Sequence, residues 1–239
     1  MFTLEKSHYE LVMAIFEDAT NSKPVVFSVI EGNTDGKIFV DNDKNPKTAL
    51  IQLYDMFFLK GETNRDFCEN IFNLLVNEVF PIMDEEYFDF YCLSDNLRDD
   101  VEEIFASLIH SKLVRKTFTF DRDKFERHRG WRERLPERYT MDMFKGPLSV
   151  KLKLDNEVVS ECSAVFAGAG QAEISVRTNE KYRKQGFAAL ACAAFIEECL
   201  SEGYIPNWTC WDFREGSAEL ARKMGFVELK DDIVYGIKK

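Results

Sequence analysis

Residues 173–188 read Glu-Ile-Ser-Val-Arg-Thr-Asn-Glu-Lys-Tyr-Arg-Lys-Gln-Gly-Phe-Ala. The start of this span has strand character, its middle is basic with one glycine, and the alanine-rich run that follows has the composition of a helix. A helix start presents unpaired backbone N–H groups and the positive end of the helix dipole, so this order of residues can hold pyrophosphate largely through main chain. Gly186 lets the backbone approach such a ligand with no Cβ in the way. Between residues 173 and 185, Arg177, Lys181, Arg183 and Lys184 outnumber Glu173 and Glu180, so the segment is locally positive. A lone glycine in a basic stretch is weak by itself; its place between a strand and a helix gives it meaning.

The run Arg183-Lys184-Gln185-Gly186-Phe187-Ala188 resembles the acetyl-coenzyme A signature of the GNAT N-acetyltransferase superfamily, Gln/Arg-x-x-Gly-x-Gly/Ala. Thr178 with Tyr182-Arg183, Pro206-Asn207-Trp208-Thr209-Cys210, Ser217 and Lys223-Met224-Gly225-Phe226 extend the likeness toward the branch containing zwittermicin A resistance acetyltransferases. It spans roughly the last third of the chain. The resemblance implies acetyl-coenzyme A as acyl donor, no metal, and a small-molecule amine as acceptor, attacking directly in a ternary complex. It implies that the pantetheine arm lies along Ile174, Ser175 and Val176 as an added strand would, bound by main chain. Arg183, Lys184, Gln185, Gly186, Phe187 and Ala188 would wrap the pyrophosphate.

Amide transfer needs a base for the acceptor ammonium and an acid for the departing thiolate. By the same resemblance Glu173 stands where such a base acts, directly or through water. Strand alternation also puts Glu173 and Arg177 on one face, so a structural ion pair competes with that role. Many relatives carry a tyrosine after the leucine of the last helix, whereas Leu220 is followed here by Ala221. Tyr182, Tyr204, Cys210 or solvent are the substitutes. The family's asparagine three residues before Ser217 is replaced by Arg214, and Ser217 itself reads as a helix N-cap. Trp208 and Trp211 lie on opposite faces of a strand, one for the core and one for the acceptor cleft, or both for the core. His8, His110 and His128 belong to no motif.

A chain of 239 residues with 45% hydrophobic content buries a sizeable core as one large domain or two small ones. Its formal charge of −11 argues against nucleic-acid or anionic-membrane partners and suits a cationic acceptor. The amino terminus has no basic stretch leading into an apolar core, and no apolar run nears the ~20 residues that span a bilayer. The six cysteines form no Cys-x-x-Cys pair, so reduced, buried thiols in a cytoplasmic protein are expected.

The elements needed to position the turn follow an α/β order. Strands are expected over 25–30 and 37–40 as a hairpin, extended chain over 49–59, a helix over 66–80, a strand over 87–93, a helix over 101–109 and a strand over 112–120. The second half repeats the order: a hairpin of 149–154 with 158–167, strand 172–176, helix 187–201, strand 208–211, helix 217–223 and strand 232–238. This predicts an α/β fold with a mixed sheet, a GNAT fold in the carboxy-terminal half and a degenerate GNAT-like copy before it. The domains expected are 1–120, a charged linker 121–145, and 146–239. The arginines of 121–138 either face solvent in internal ion pairs or reach the 3′-phosphate of coenzyme A or an acidic acceptor, and Trp131 is expected to pack the segment onto the body. The turn at 61–66, counterpart of the phosphate turn, has one glycine and no second small residue at the right offset. The expected activity is N-acetyl transfer; a catalytically inactive acyl-coenzyme A sensor is the alternative.

Overall fold

In the computed structural model, which describes every residue except Pro147, the chain forms two compact units. The first is Met1–Arg115 with Asp232–Lys239, and the second is Lys116–Asp231. This division departs from the expected boundaries at three places, the first being that residues 116–120, the end of the strand Ile109–Phe120, fall in the second unit. Residues 121–145 are part of the second unit rather than a linker, and the last strand belongs to the first unit.

The first unit begins with β1 (Phe2–Thr3), a 3₁₀ segment and the short helix α1 (Met13–Phe16), followed by α2 (Lys23–Ile30). Strands β2 (Lys37–Val40), β3 (Thr48–Leu53) and β4 (Met56–Gly61) join β1 in an antiparallel run. Helix α3 (Arg65–Leu74) leads to β5 (Tyr87–Cys92), which pairs in parallel with β4. Helix α4 (Arg98–Ile104) leads to β6 (Ile109–Phe120). The strand expected over 25–30 is instead helical. Pro24 sits in the first turn of α2, and Val26, Phe27, Ser28, Val29 and Ile30 are all buried. A helix covered on nearly every side shows no 3.6-residue period, and its β-branched run then reads as a strand. The partner of β2 is therefore β3, and the extended chain over 49–59 splits into β3 and β4 at Tyr54, whose φ is +53°. Phe57, Phe88, Phe90 and Phe105 form the aromatic centre of this unit's core.

The second unit starts with α5 (Arg122–Phe125) and a 3₁₀ segment, Glu126–Arg134. An antiparallel run of β7 (Tyr139–Lys145), β8 (Leu148–Leu154), β9 (Glu157–Gly168) and β10 (Gln171–Thr178) follows. Helix α6 (Phe187–Ser201) connects β10 to its parallel neighbour β11 (Ile205–Trp211). Then come α7 (Glu215–Lys223), β12 (Phe226–Glu228) and β13 (Asp232–Lys238), the last pairing antiparallel with β5 and with β6 residues 109–115. Each unit thus contains an antiparallel meander ending in a parallel pair across a helix: β4–α3–β5 and β10–α6–β11.

Two buried aromatic residues explain why 121–138 is not a solvated linker. Phe125 is fully buried, Trp131 nearly so, and the Trp131 Nε1–H donates to Glu197 of α6 at 2.8 Å. The Arg132 guanidinium lies 4.4 Å from the Trp131 ring centre and pairs with the same carboxylate. Trp131→Ala is expected to cost about 3–5 kcal/mol, the usual loss for a buried aromatic side chain, measured by urea unfolding. A change under about 1 kcal/mol would show that the segment does not hold α6.

Candidate functional site

The parallel pair β10–β11 comes apart. Its register runs Gln171↔Ile205, Ala172↔Pro206 and Glu173↔Asn207 and then stops, although β10 continues to Thr178 and β11 to Trp211. On its other edge β10 stays paired with β9 as far as Thr178↔Ser160. Opposite the split, Glu173↔Phe166 is followed by Ile174↔Ala164, so Val165 is an extra residue in β9. Such a bulge bends a sheet locally and lets its strands diverge. Beyond Glu173 the β11-facing edge of β10 has lost its ladder, so alternate residues aim N–H and C=O into the gap. Ile174 and Val176 turn their side chains to the core, while Ser175 is exposed. Residues 174–176, the stretch expected to take the pantetheine arm, lie along this gap.

After β10, Asn179 caps a single 3₁₀ turn, Glu180–Tyr182. The chain then reverses through Lys184 at φ +62° and Gly186 at φ +85° into α6. The Gln185 side chain donates to the Lys181 carbonyl at 3.3 Å, and the Arg183 Nε–H to that of Thr178 at 3.4 Å, fixing the turn from within. Gly186 is the N-cap of α6 and provides no side-chain hydrogen bond to its first turn. The first N–H groups of a fifteen-residue helix are thus left to water or to a ligand.

They border a cavity of about 1030 Å³ formed by the end of β10, this turn, and the starts of α6 and α7. Arg183, Lys184, Gly186, Phe187 and Ala188 line it, but Gln185 does not. Of the strand residues, Val176 lines it and Ile174 and Ser175 do not. The charged lining comprises Arg177, Arg183, Lys184, Arg214 and Lys223 against Glu215 and Glu219, a cationic basin in an acidic protein. None of the arginines of 121–138 lines it. The start of α7, which also carries no side-chain cap, is a second helix terminus at the cavity.

The counterpart turn of the first unit is closed. Asn64 caps α3 by accepting from the Phe67 N–H at 3.0 Å, and Arg65 is held by Asp100 and Glu103. The Gly61 N–H donates to Ser94 Oγ, and its carbonyl accepts from Asn96. A Cβ on Gly61 would stand 2.2 Å from the Lys47 carbonyl oxygen, so this glycine serves a close approach of protein to protein.

Glu173 is buried, with 6% of its surface exposed, at the last paired position before the split. Its Oε1 accepts from Thr209 Oγ1 at 2.6 Å and its Oε2 from Asn207 Nδ2. Asn207, Thr209 and Trp211 occupy one face of β11, and Trp208 and Cys210 occupy the core face. The expected ion pair with Arg177 does not form. The two residues share a face but stand four positions apart, about 13 Å along a strand, and Arg177 is exposed at the cavity.

The candidates for a general acid are engaged or turned away. The Tyr182 hydroxyl donates to Glu157 Oε2 at 2.9 Å; this bond pushes the phenol's pKa up and holds the carboxyl of Glu157 below its usual range. Cys210 lies in the core, and Ala221 is fully buried on α7. Tyr204 precedes β11 at its paired end. Ser217 is not the N-cap of α7, which Arg214 occupies; its hydroxyl accepts from Trp208 Nε1 at 3.2 Å. Trp208 is core, whereas Trp211 is partly exposed and stacks on Phe213 with rings 9° apart. Among the described residues, no group of three or more His, Cys, Asp or Glu side chains is placed to hold a metal ion, and no helix is long and apolar enough to cross a membrane.

Known proteins agree with this architecture. The family model for GNAT acetyltransferases matches residues 13–154 and again residues 149–235. The chain belongs to the GNAT acetyltransferase family. This GNAT acetyltransferase is 26% identical to the uncharacterized N-acetyltransferase YdfB of Bacillus subtilis strain 168, over 97% of each chain. Its fold is shared with a GCN5-related N-acetyltransferase-like protein from Streptococcus suis, at TM-score 0.69 and 22% identity over 97% of this chain and 99% of that one. A tandem GNAT protein from the clavulanic acid biosynthesis pathway superposes at TM-score 0.68 with 8% identity, over 99% of this chain and 97% of its own. The mixed α/β fold with a second GNAT-like half is thus a property of the whole chain.

Proposed function

We propose that this acetyltransferase takes acetyl-coenzyme A as donor in the second unit and transfers the acetyl group to a primary amine of a small, cationic acceptor. The observation that carries the reading is the loss of β10–β11 pairing beyond Glu173, leading to an uncapped helix start in a cationic basin. Free main chain at residues 174–176 suits the amides of pantetheine, and the first turn of α6 suits pyrophosphate. Arg183 and Lys184 add positive potential there. The donor, when bound, supplies an acetyl group activated as a thioester.

In this reading Glu173, at the fork of the split, takes the proton of the acceptor ammonium. The acidic composition of the chain favours a cationic acceptor. The likeness of residues 206–226 to zwittermicin A resistance acetyltransferases supports an aminated antibiotic or a similar small amine. Thiol departure is assisted by solvent, since Tyr182 is bonded to Glu157 and Ala221 carries no proton donor.

Titration calorimetry is expected to give one acetyl-coenzyme A per chain, because the counterpart turn of the first unit is closed, with affinity falling as salt is raised. Thiol release should then depend on an added amine from a panel of spermidine, glucosamine and a lysine dipeptide. Two equivalents bound would overturn the assignment to one unit. Tight binding with no amine-dependent release would favour an acyl-coenzyme A sensor.

A further inference from the structure

The carboxylate assigned as base is poorly placed to meet an acceptor. Glu173 and Asn207 are 6% and 7% exposed, and none of Glu173, Asn207 and Thr209 lines the cationic cavity. Of Asn207 and Thr209, which both donate to the carboxylate at the fork, Asn207 is buried and Thr209 is partly exposed. Thr209 stands on β11 two positions past the last paired residue, on the same face of the sheet as Asn207. Its hydroxyl reaches back to Glu173 Oε1 at 2.6 Å.

The two donors differ in what they can do. An amide N–H gives a hydrogen bond and keeps its proton, so Asn207 holds Oε2 in place. A hydroxyl has one proton to give and two lone pairs, so it can receive one proton as it passes on another. We infer that the Thr209 hydroxyl relays the acceptor's proton to Glu173, which rests on the proposed role of Glu173 as base. An N–H bond of the acceptor ammonium breaks as its proton joins Thr209 Oγ1. The original Oγ1–H bond breaks as that proton joins Glu173 Oε1. The amine is left neutral with its lone pair free, the carboxylate becomes a carboxylic acid, and Thr209 ends unchanged.

The test uses the full-length protein with Thr209→Val, Thr209→Ser and Glu173→Gln. Saturating acetyl-coenzyme A is combined with either of two surrogate acceptors. Propylamine is protonated near neutral pH, and hydroxylamine is largely neutral there and needs no prior deprotonation. Thr209→Val is expected to lower kcat with propylamine by about 100-fold, within the range of proton-transfer catalysis. The loss with hydroxylamine should be several-fold smaller, Thr209→Ser should restore the propylamine rate, and calorimetry should show unchanged acetyl-coenzyme A affinity.

Equal losses with both amines, or failure of serine to rescue, would overturn the relay in favour of a positioning role. A wild-type rate for Thr209→Val beside a slow Glu173→Gln would overturn the relay and keep the base. If neither variant is slow, or if the unaltered protein releases no thiol with either amine, both assignments fail.

Discussion

Gly186→Val is expected to weaken acetyl-coenzyme A binding by about 10- to 100-fold while the protein remains folded. At φ +85° this residue occupies a backbone region that a β-branched side chain enters at a cost of about 1–3 kcal/mol. No heavy atom lies within 4 Å of the position its Cβ would take, so the folded protein itself is not crowded. The strain is relieved by turning the peptide units on either side, which moves the N–H groups that open α6 out of line with the cavity. A methyl-bearing substituent also enters the space next to those donors. Calorimetry reads the affinity and thermal unfolding reads the fold. An unchanged Kd would remove the phosphate site from this turn, whereas Gly186→Ala should fall between the two proteins.

Glu173→Gln is expected to lower kcat by about 10²- to 10⁴-fold with little change in acetyl-coenzyme A affinity. Glutamine matches the carboxylate in size and keeps an oxygen to accept from Asn207. The Thr209 hydroxyl can turn to accept from the new amide, so the fork between β10 and β11 stays bonded. What is lost is the capacity to take a proton. Because Glu173 does not line the cationic cavity, cofactor binding has no direct reason to change. Stopped-flow or steady-state thiol release with a competent amine gives kcat, and calorimetry gives the affinity. A kcat within about threefold of the unaltered protein would sink the assignment.

Much of this site was readable along the chain because its signals are local. The helix over 187–201 and the strand over 232–238 match α6 and β13, and the glycine between strand and helix marks the reversal at Gly186. Local patterns failed where burial removed the period or charge hid the anchor. Residues 25–30 are apolar on all sides and form α2 instead of a strand, and 121–138 hides Phe125 among charged neighbours, although Trp131 packs the segment as expected. The supposed Glu173–Arg177 pair used the correct face but ignored the distance along it.

By itself, the sequence determined a strand, a basic glycine turn and a helix start, with the resemblance that names acetyl-coenzyme A as donor. These depend on residues a few positions apart, whose dihedral preferences and spacing are set locally. Only the tertiary structure decided where β10 leaves β11, and that Asn207 and Thr209, 34 and 36 positions from Glu173, hold its carboxylate. It also decided that α7 lends a second helix start to the cavity and that the last strand completes the first unit. Register and strand exchange depend on which distant segments bury each other's apolar faces, and no window along the chain contains both partners.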